Sequence, residues 1–524
     1  MFRLGILRQR ARWSRWQHDC VQAILAGGFA RIALVIEVEA PSPVRLPAGA
    51  RAGAERSLGA VLPDLPSLPL SVPPTAGQRQ AMAGHTLDLA LDLSGLGLAM
   101  PRVARLGVWA FHLGDPERDD GLSPGLAPVA RGDLASGCAL VRLAEDGTAE
   151  VLREGWFKTR PTPRRDADQM LLRAARWPAL VLHAMAETRS APVVARRVSL
   201  PNPEAVPGLA GKARAARRFA GYALDSLRRR FCRERWSIGI VDRPVADVIR
   251  EKRLGPVRWM SGQPEDRFHA DPFPRLQDDG TLEVLVESAP YATALGHLAR
   301  IRIGADGALI DETPILQAPH HLSYPSILRV PEGEFILPES WEADRLSAHA
   351  FGIGGMLARE TDLVVGRALV DGTLVRHEGR WFLFACDRRD DDTTNLHLFH
   401  AADWRGPFLP HPSNPVKVDV RSSRPAGALV MVDGQLYRPA QDCAMRYGNA
   451  VAINRVVELD ERRFREELHC VLRPDPQGPF PDGLHTINGI GELTVIDGQK
   501  LSFEPFAAMA DRRARRRARK RRDQ

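Results

Sequence analysis

The chain has no apolar run close to the roughly 18 residues that a membrane-crossing helix needs. Its start, MFRLGILRQRARW, breaks into arginines before a signal-peptide core can form. A cytoplasmic protein is therefore expected, peripheral at most to the inner membrane surface. Cysteine is scarce: six in 524 residues, at 20, 138, 232, 386, 443 and 470, with no CxxC pair. That excludes a zinc knuckle and a disulfide framework and leaves reduced, mostly buried thiols. P-loop, GxGxxG fingerprint and nucleophile elbow are all missing, which disfavours NTP hydrolysis, NAD chemistry and serine hydrolysis. What remains is ordinary globular composition, 44% hydrophobic and 26% charged. At roughly 150 residues per domain, two or three domains are expected.

The net charge of +8 is concentrated in two places. Residues 212–235 carry nine basic and two acidic side chains, and residues 511–524 carry nine and two again, so the rest of the chain is net acidic. Arginine runs without interleaved aromatic residues are weak signals for base recognition, so nucleic acid is not an expected partner. A solvated helix and a disordered Arg-rich tail account for both runs, and contact with an anionic membrane surface is the alternative. In the first run Phe219, Tyr222, Ala223, Leu227 and Phe231 recur at helical spacing, which predicts one apolar face, expected to pack on a neighbouring domain.

Before residue 200, β-like runs (30–39, 87–95, 106–115) alternate with helical stretches (16–28, and a long one over 166–187). Such alternation predicts a mostly parallel sheet covered by helices. A Pro/Gly/Ala-rich insertion at 39–78 reads as loop, and SLPNPEAVPG at 199–208 marks a boundary. The expected division is an α/β domain over 1–198, a linker and basic helix over 199–235, an all-β domain over 236–510, and a tail over 511–524.

After Trp236 one pattern recurs: a short motif, a strand, a turn signal such as DDG, PEG or DGQ, and a second strand ending on a polar residue. It starts at Asp271, Ser323, Asp371, Arg424 and His485. Five units at the length of a four-stranded blade predict a five-bladed β-propeller whose inner strands begin at a central channel. Polar residues at equivalent places then become neighbours: His269, Asp271, Glu287, Ser323, Tyr324, Glu339, Asp371, Asp387, Arg424, Arg438, Gln441, Asp442, Tyr447, His485, Asn488 and Glu492. Phe268, Tyr324, Trp341, Trp381 and Tyr437 sit beside them. Carboxylates, aromatic platforms and an arginine suit sugar recognition. Glycoside cleavage needs two carboxylates flanking the scissile oxygen, for which Asp271 and Glu339 are the candidates, with Asp371 tuning the acid. The competing reading has these acids hydrogen-bonding turn amides. An inverting pair stands roughly 6.5–9.5 Å apart across an open channel, and an Asp271 tied to backbone amides argues against hydrolysis.

FHADPFP, HLSYPSI with LPES, VDGTLVRHEGRWFLF, RPAGALV and LYRPAQDCAMRYG resemble the N-terminal propeller domain of the glucosamine inositolphosphorylceramide transferase family. That domain is itself similar to five-bladed arabinanase and xylosidase glycosidases. The resemblance covers roughly residues 236–505 and implies a glycan, amino sugar or glycolipid headgroup as partner. In the plant members glycosyl transfer belongs to a separate C-terminal domain, so the family name does not carry the reaction to this segment. Against the glycosidases Asp271 matches the general base and Asp371 the modulating aspartate, while the acid is open between Glu339 and Glu287. Such glycosidases sometimes hold a cation in the channel, although this sequence does not demand a metal.

LGVWAFHLGD and SGCALVRLAEDGTAEVLREGWFKT resemble the formyltransferase domain that acts on methionyl-tRNA and amino sugars, a Rossmann-like fold. The resemblance implies a folate formyl donor if the domain is active, with His112 as the catalytic histidine and Asp146 as its orienting aspartate. The asparagine expected two residues before the histidine is Ala110, and losing such an oxyanion donor costs on the order of 10²–10³ in rate. Three functions remain open: a carbohydrate-active enzyme, a formyltransferase-like enzyme acting on an amino sugar, and a non-catalytic glycan-binding protein on two degenerate scaffolds.

Overall fold

The structure, a computed structural model, describes residues 1–9, 13–39, 65–71, 75–95, 97, 103–121, 125–144, 146–201, 209–276 and 282–522. The chain divides into two compact units, Met1–Tyr222 and Ala223–Gln524. Most of the expected boundary segment at 199–208 lies outside the described residues.

The first unit begins with β1 (Phe2–Gln9), α1 (Arg15–Ala26) and β2 (Ala30–Glu39). The Ser14 N–H donates to the Gln17 side chain at 2.9 Å in a capping box, and Trp16, Cys20, Val21 and Ile24 form the buried face of α1. The sheet runs β3 (Ser67–Ser71), β2, β1, β4 (Leu89–Asp92), β5 (Val108–Leu113), β6 (Ala135–Leu143), β7 (Thr148–Lys158), β8 (Arg196–Ser199). It is parallel from β3 to β5 and antiparallel from β5 to β8. The helices are α2 (Ala76–Gly84), α3 (Leu126–Arg131), α4 (Pro163–Ala174) and α5 (Trp177–Thr188).

Three expectations are corrected here. The sheet is mixed rather than mostly parallel, because the chain between β6 and β7 is far too short for a parallel crossover. The insertion at 39–78 is not wholly loop: Ser67–Ser71 pairs parallel with β2 as an edge strand, where Pro69 is tolerated, and α2 begins at Ala76 behind its Thr75 cap. The long helix at 166–187 is two, because Pro178 lacks the N–H a continuous helix needs and sits instead in the first turn of α5.

The second unit is a five-bladed propeller. Blade one is Arg267–Leu276, Leu282–Pro290, His297–Ile303 and Leu309–Leu316. Blade two is Ser323–Val330, Gly333–Glu339, Arg345–Phe351 and Leu357–Val365. Blade three is Leu369–His377, Arg380–Asp387, Asn395–Ala401 and Leu409–Pro410. Blade four is Val430–Val432, Gln435–Asp442, Ala450–Leu459 and Phe464–Leu472. Blade five takes Ile487–Ile490 and Leu493–Phe503 from the end of the chain and Cys232–Val241 and Arg258–Trp259 from before blade one. The register runs from Thr494 opposite Val241 to Phe503 opposite Cys232, so the first strand of the unit closes the ring. Apolar clusters fill the spaces between blades; one joins Leu337, Leu346 and Leu363 to Leu369, Leu383 and Phe399.

The two DGQ tripeptides take different roles. Asp433 and Gly434 have φ of 50° and 77° and form a hairpin turn, as expected. Asp497 and Gly498 instead lie inside the strand Leu493–Phe503, and a Cβ on Gly498 would stand 2.2 Å from the Trp259 ring. The turn in that blade is made by Gly491, at φ 52°. The DDG turn signal at 278–280 lies outside the described residues.

The basic helix is α6 (Leu209–Arg229), which straddles the division between the units; Ala223, Leu224 and Leu227 are exposed, and the side chains of Phe219 and Tyr222 lie outside the described set. After α7 (Val245–Glu251) the last element is α8 (Pro505–Arg522). The tail expected to be disordered from 511 is therefore helical. Alanine and arginine favour helix, Ala508, Asp511 and Ala514 are buried, and Arg233 clamps the Asp511 carboxylate at 2.9 and 2.8 Å.

Candidate functional site

Blades one, two and three open with the same irregularity. Pairing slips between Ala270 and Phe273, between Ser323 and Ser326, and between Val370 and Thr373. The first residue inside each bulge, Asp271, Tyr324 and Asp371, has φ of 52°, 46° and 52°. For non-glycine residues this left-handed conformation costs about 1–3 kcal/mol, and bulges re-aim side chains out of the regular pleat. All three are buried and linked to one another. The Tyr324 N–H donates to Asp271 Oδ2 at 3.1 Å, and the Tyr324 hydroxyl meets Thr373 Oγ1 at 2.9 Å and accepts the Gly427 N–H at 2.7 Å.

Blade four contributes Arg424, whose carbonyl accepts the Gln441 N–H at 2.7 Å. Its guanidinium grips Asp371 with Nε to Oδ2 at 2.6 Å and Nη2 to Oδ1 at 3.2 Å. The same Nη2 reaches Glu339 at 3.3 Å, and Nη1 reaches Asp392 at 3.2 Å. The Gln441 side chain donates to Asp371 Oδ2 at 3.0 Å. The Tyr447 ring lies 5.1 Å from the Arg424 guanidinium and 5.5 Å from the His485 ring, with about half its surface exposed.

Blade five contributes His485 and Thr486. His485 stands between two aspartates, Nδ1 2.6 Å from Asp497 and Nε2 3.3 Å from Asp271, and Trp236 packs on its ring at 4.2 Å. Thr486 Oγ1 donates to Asp271 Oδ1 at 2.9 Å. Asp497 in turn accepts the N–H groups of Asp271, His485 and Thr486.

The electrostatics follow from four buried carboxylates, Asp271, Glu339, Asp371 and Asp497, gathered around Arg424 and His485, with Glu287 facing His321 and Asp392 facing Arg388 beside them. Burial pushes Asp271 up to about 6, with His485 opposing. Burial and then the Asp371 charge hold Glu339 well above the usual carboxylate range, with Arg424 opposing. Burial and then Asp271 do the same for Glu287, whose Oε1 lies 3.4 Å from His321 Nε2. Burial works against a charge on His485, but Asp497 and Asp271 outweigh it and raise the imidazole to about 9. Asp271, His485 and Asp497 are also a set of described residues whose ligand atoms lie within 4.8 Å of one another, a spacing that could hold a cation.

The channel network thus unites Asp271, Glu339, Asp371, Arg424, Gln441 and His485, with Tyr447 at its edge and Glu287 coupled through its charge. Other expected site residues serve elsewhere. Tyr324 is a fully buried brace across blades two, three and four, not a stacking platform. Arg438 is committed to Glu466 at 2.6 Å and to the Ser422 and Ser423 carbonyls. His269 is buried against Glu312 at 3.2 Å; burial opposes it, but His269 and Ser288 hold that carboxylate at about 2. Asn488 clasps the Pro272 carbonyl at 2.8 Å and the Ala428 N–H at 2.8 Å. Asp442 accepts the Ala444 N–H at 3.0 Å, and Trp341, on a short 3-10 turn, has the Arg388 guanidinium 5.2 Å from its ring.

Sequence reasoning missed Asp497, Thr486, Asp392 and Trp236. Asp497 was masked by its own turn-like DGQ context, and Trp236 arrives only because the ring closes.

In the first unit His112, on β5, is buried, and burial lowers its pKa. A Cβ on Gly121 would lie 2.8 Å from its ring, so glycine leaves the room that ring occupies. Asp146 does not orient it. His112 pairs with Ala139, whereas Asp146 lies beyond Leu143, which pairs with Val108, so the two occupy opposite ends of the hairpin. Asp146 is exposed and bound to Thr148 at 2.6 Å and Arg197 at 3.1 Å. The carboxylates whose charges act on His112 are Asp119 and Asp120 rather than Asp146, and Ala110 stands in the asparagine position.

Residues 257–511 match the family described as glucosamine inositolphosphorylceramide transferase 1, N-terminal. Among whole proteins the chain is 29% identical over 258 residues to glucosamine inositolphosphorylceramide transferase 1 of Arabidopsis thaliana, covering 48% of this chain and 33% of that one. It is 29% identical over 208 residues to the protein of the same name from Oryza sativa subsp. japonica, covering 38% and 27%. The chain therefore spans about a third or less of the length of these relatives. Similar solved structures include glycinamide ribonucleotide transformylase 1 from Symbiobacterium toebii, 17% identical at TM-score 0.29, covering 38% of this chain and 95% of that one. An exo-beta-1,3-galactanase from Clostridium thermocellum is 11% identical at TM-score 0.32, covering 42% and 53%. The propeller is thus the part of the chain that matches the N-terminal domain family of glucosamine inositolphosphorylceramide transferase 1.

Proposed function

We propose that the protein is carbohydrate-active and that its propeller channel recognises a glycan or glycolipid headgroup bearing an amino sugar, without hydrolysing it. The observation that carries this is the engagement of every candidate catalytic carboxylate by the chain itself. Both Asp271 oxygens are occupied, one by the Tyr324 amide and the other by Thr486 and His485, so the proposed base is not poised toward a water. Glu339 and Asp371 are held by a single guanidinium, where an acid and its modulator would face the scissile bond.

Carboxylates outnumber the cations facing them here, which suits a protonated amine whose charge would draw Glu339 and Glu287 toward their ionised forms. The half-exposed Tyr447 ring offers a face for a sugar ring. The relatives named for glucosamine and inositolphosphorylceramide accord with this reading.

Calorimetric titration of the full chain with glucosamine, N-acetylglucosamine and glucose tests it. Glucosamine should bind at least tenfold more tightly than the other two, and Glu339→Gln should weaken it by a similar factor. Equal affinity for all three sugars, or sugar release from nitrophenyl glycosides that is lost in Asp271→Asn, would overturn the reading.

A further inference from the structure

The end of α6 and the start of α8 meet at one point of the second unit. The Glu504 N–H donates to the Phe231 carbonyl at 3.0 Å, and Phe503 pairs with Cys232 in the strands beside them. Around this junction large apolar side chains face solvent: Phe503 is 70% exposed and Phe506 88%, with Leu224, Leu227, Phe231 and Met509 exposed as well. Helix α8 buries Ala508, Asp511 and Ala514, so its outward face carries Phe506, Met509, Arg513 and Arg516 at spacings of three and four. On α6, Leu224, Leu227 and Arg228 share a face in the same way.

The acidic groups here are already paired. Asp225 meets Arg229 at 2.7 Å, Glu234 meets Arg515 at 3.2 Å, Glu504 meets Arg235 at 2.8 Å, and Asp511 meets Arg233 at 2.8 Å. Exposed Arg228, Arg230, Arg513, Arg516 and Arg517 form no ion pair among the described residues.

We propose that this junction is a docking surface for an anionic lipid bilayer. Aromatic and aliphatic side chains at the meeting point of two helices enter the headgroup boundary, while arginines along both helices engage lipid phosphates. A single-stranded nucleic acid fits less well, because its bases need aromatic platforms between the arginines, and here the aromatics gather at one end. A second copy fits less well too, since it would set like charges against each other.

Co-sedimentation of the full chain with vesicles of phosphatidylcholine alone, or with about a third phosphatidylglycerol, tests the proposal. Binding should be at least tenfold stronger to the anionic vesicles. The double variant Phe503→Ser, Phe506→Ser should lose about tenfold or more, since burying a large apolar side chain even partly is worth at least that. Each of Arg513→Gln and Arg516→Gln should lose about fivefold. Both classes of variant alter solvent-facing side chains and should unfold at the wild-type temperature. The proposal is overturned if neutral and anionic vesicles bind equally, or if the double Phe variant binds anionic vesicles as the wild type does. It is equally overturned if the wild type sediments as a dimer that the same variant dissolves, or if it binds an oligoribonucleotide more tightly than the anionic vesicles.

Discussion

Arg424→Met is the most direct probe of the channel. The side chain is buried and faces Asp371 at 2.6 Å, Asp392 at 3.2 Å and Glu339 at 3.3 Å. Methionine fills a similar volume but leaves Asp371 and Glu339 without their cation, while Asp392 keeps its pairing with Arg388. Removing one partner of a buried ion pair costs about 3–5 kcal/mol, because the remaining charge has lost both water and counter-charge. At about 2–4 °C per kcal/mol for a domain of this size, the propeller transition should fall by about 6–20 °C in calorimetry. The effect should depend on pH with a defined sign. Glu339 already has a folded pKa above its unfolded value, and losing Arg424 raises it further. A raised carboxyl takes up a proton on folding, so the stability it contributes is lost as pH rises above about 4.5. The variant should therefore be closest to wild type near pH 5 and furthest from it near pH 8. Arg424→Lys, which keeps the charge without the fork, should recover part of the loss. A shift below about 2 °C, or one that does not change with pH, would show that Arg424 does not hold the channel's carboxylates together.

His485 has the same linkage sign in a higher window: its folded pKa of about 9 exceeds the unfolded value, so its contribution is complete below about pH 6.5 and disappears as pH rises through about 9. Denaturant midpoints should fall over that window in the wild type and stay flatter in His485→Gln; parallel curves would refute the assignment. Gly427→Ala should destabilise by several kcal/mol, on the order of 3–5, because φ is 134° and a Cβ would stand 2.0 Å from the Ile487 carbonyl oxygen. A variant that unfolds at the wild-type temperature would contradict the close approach of blades four and five. Tyr324→Phe leaves the buried Gly427 N–H without its acceptor and should cost about 1–3 kcal/mol in urea titration, which an unchanged midpoint would rule out.

Both architectures were legible because each rests on short-range patterns. Alternating strands and helices before residue 200 and a recurring motif-strand-turn-strand unit after 236 survive in any context, since hydrophobic periodicity and turn residues act locally. The errors fell where a distant partner overrode a local signal. Asp497-Gly498-Gln499 reads as a turn, yet the strand runs through it because Trp259 packs on the glycine and Asp497 gathers three backbone amides. The arginine-rich end reads as a tail, yet Arg233, nearly three hundred residues away, anchors Asp511 and turns it into a helix. Asp146 reads as the partner of His112, yet strand register puts it at the far end of the hairpin.

The amino-acid order alone determined that carboxylates, an arginine and a histidine open the propeller repeats, because blade starts recur at a spacing anyone can count. Only the folded ring decided which of them meet. Tyr324 became a brace and Arg438 a core ion pair, while Arg424 reached three carboxylates and His485 was set between two aspartates. The physical reason is that a side chain's direction at a bulge and its distance to another blade depend on closure of the sheet ring, which no local run of residues encodes.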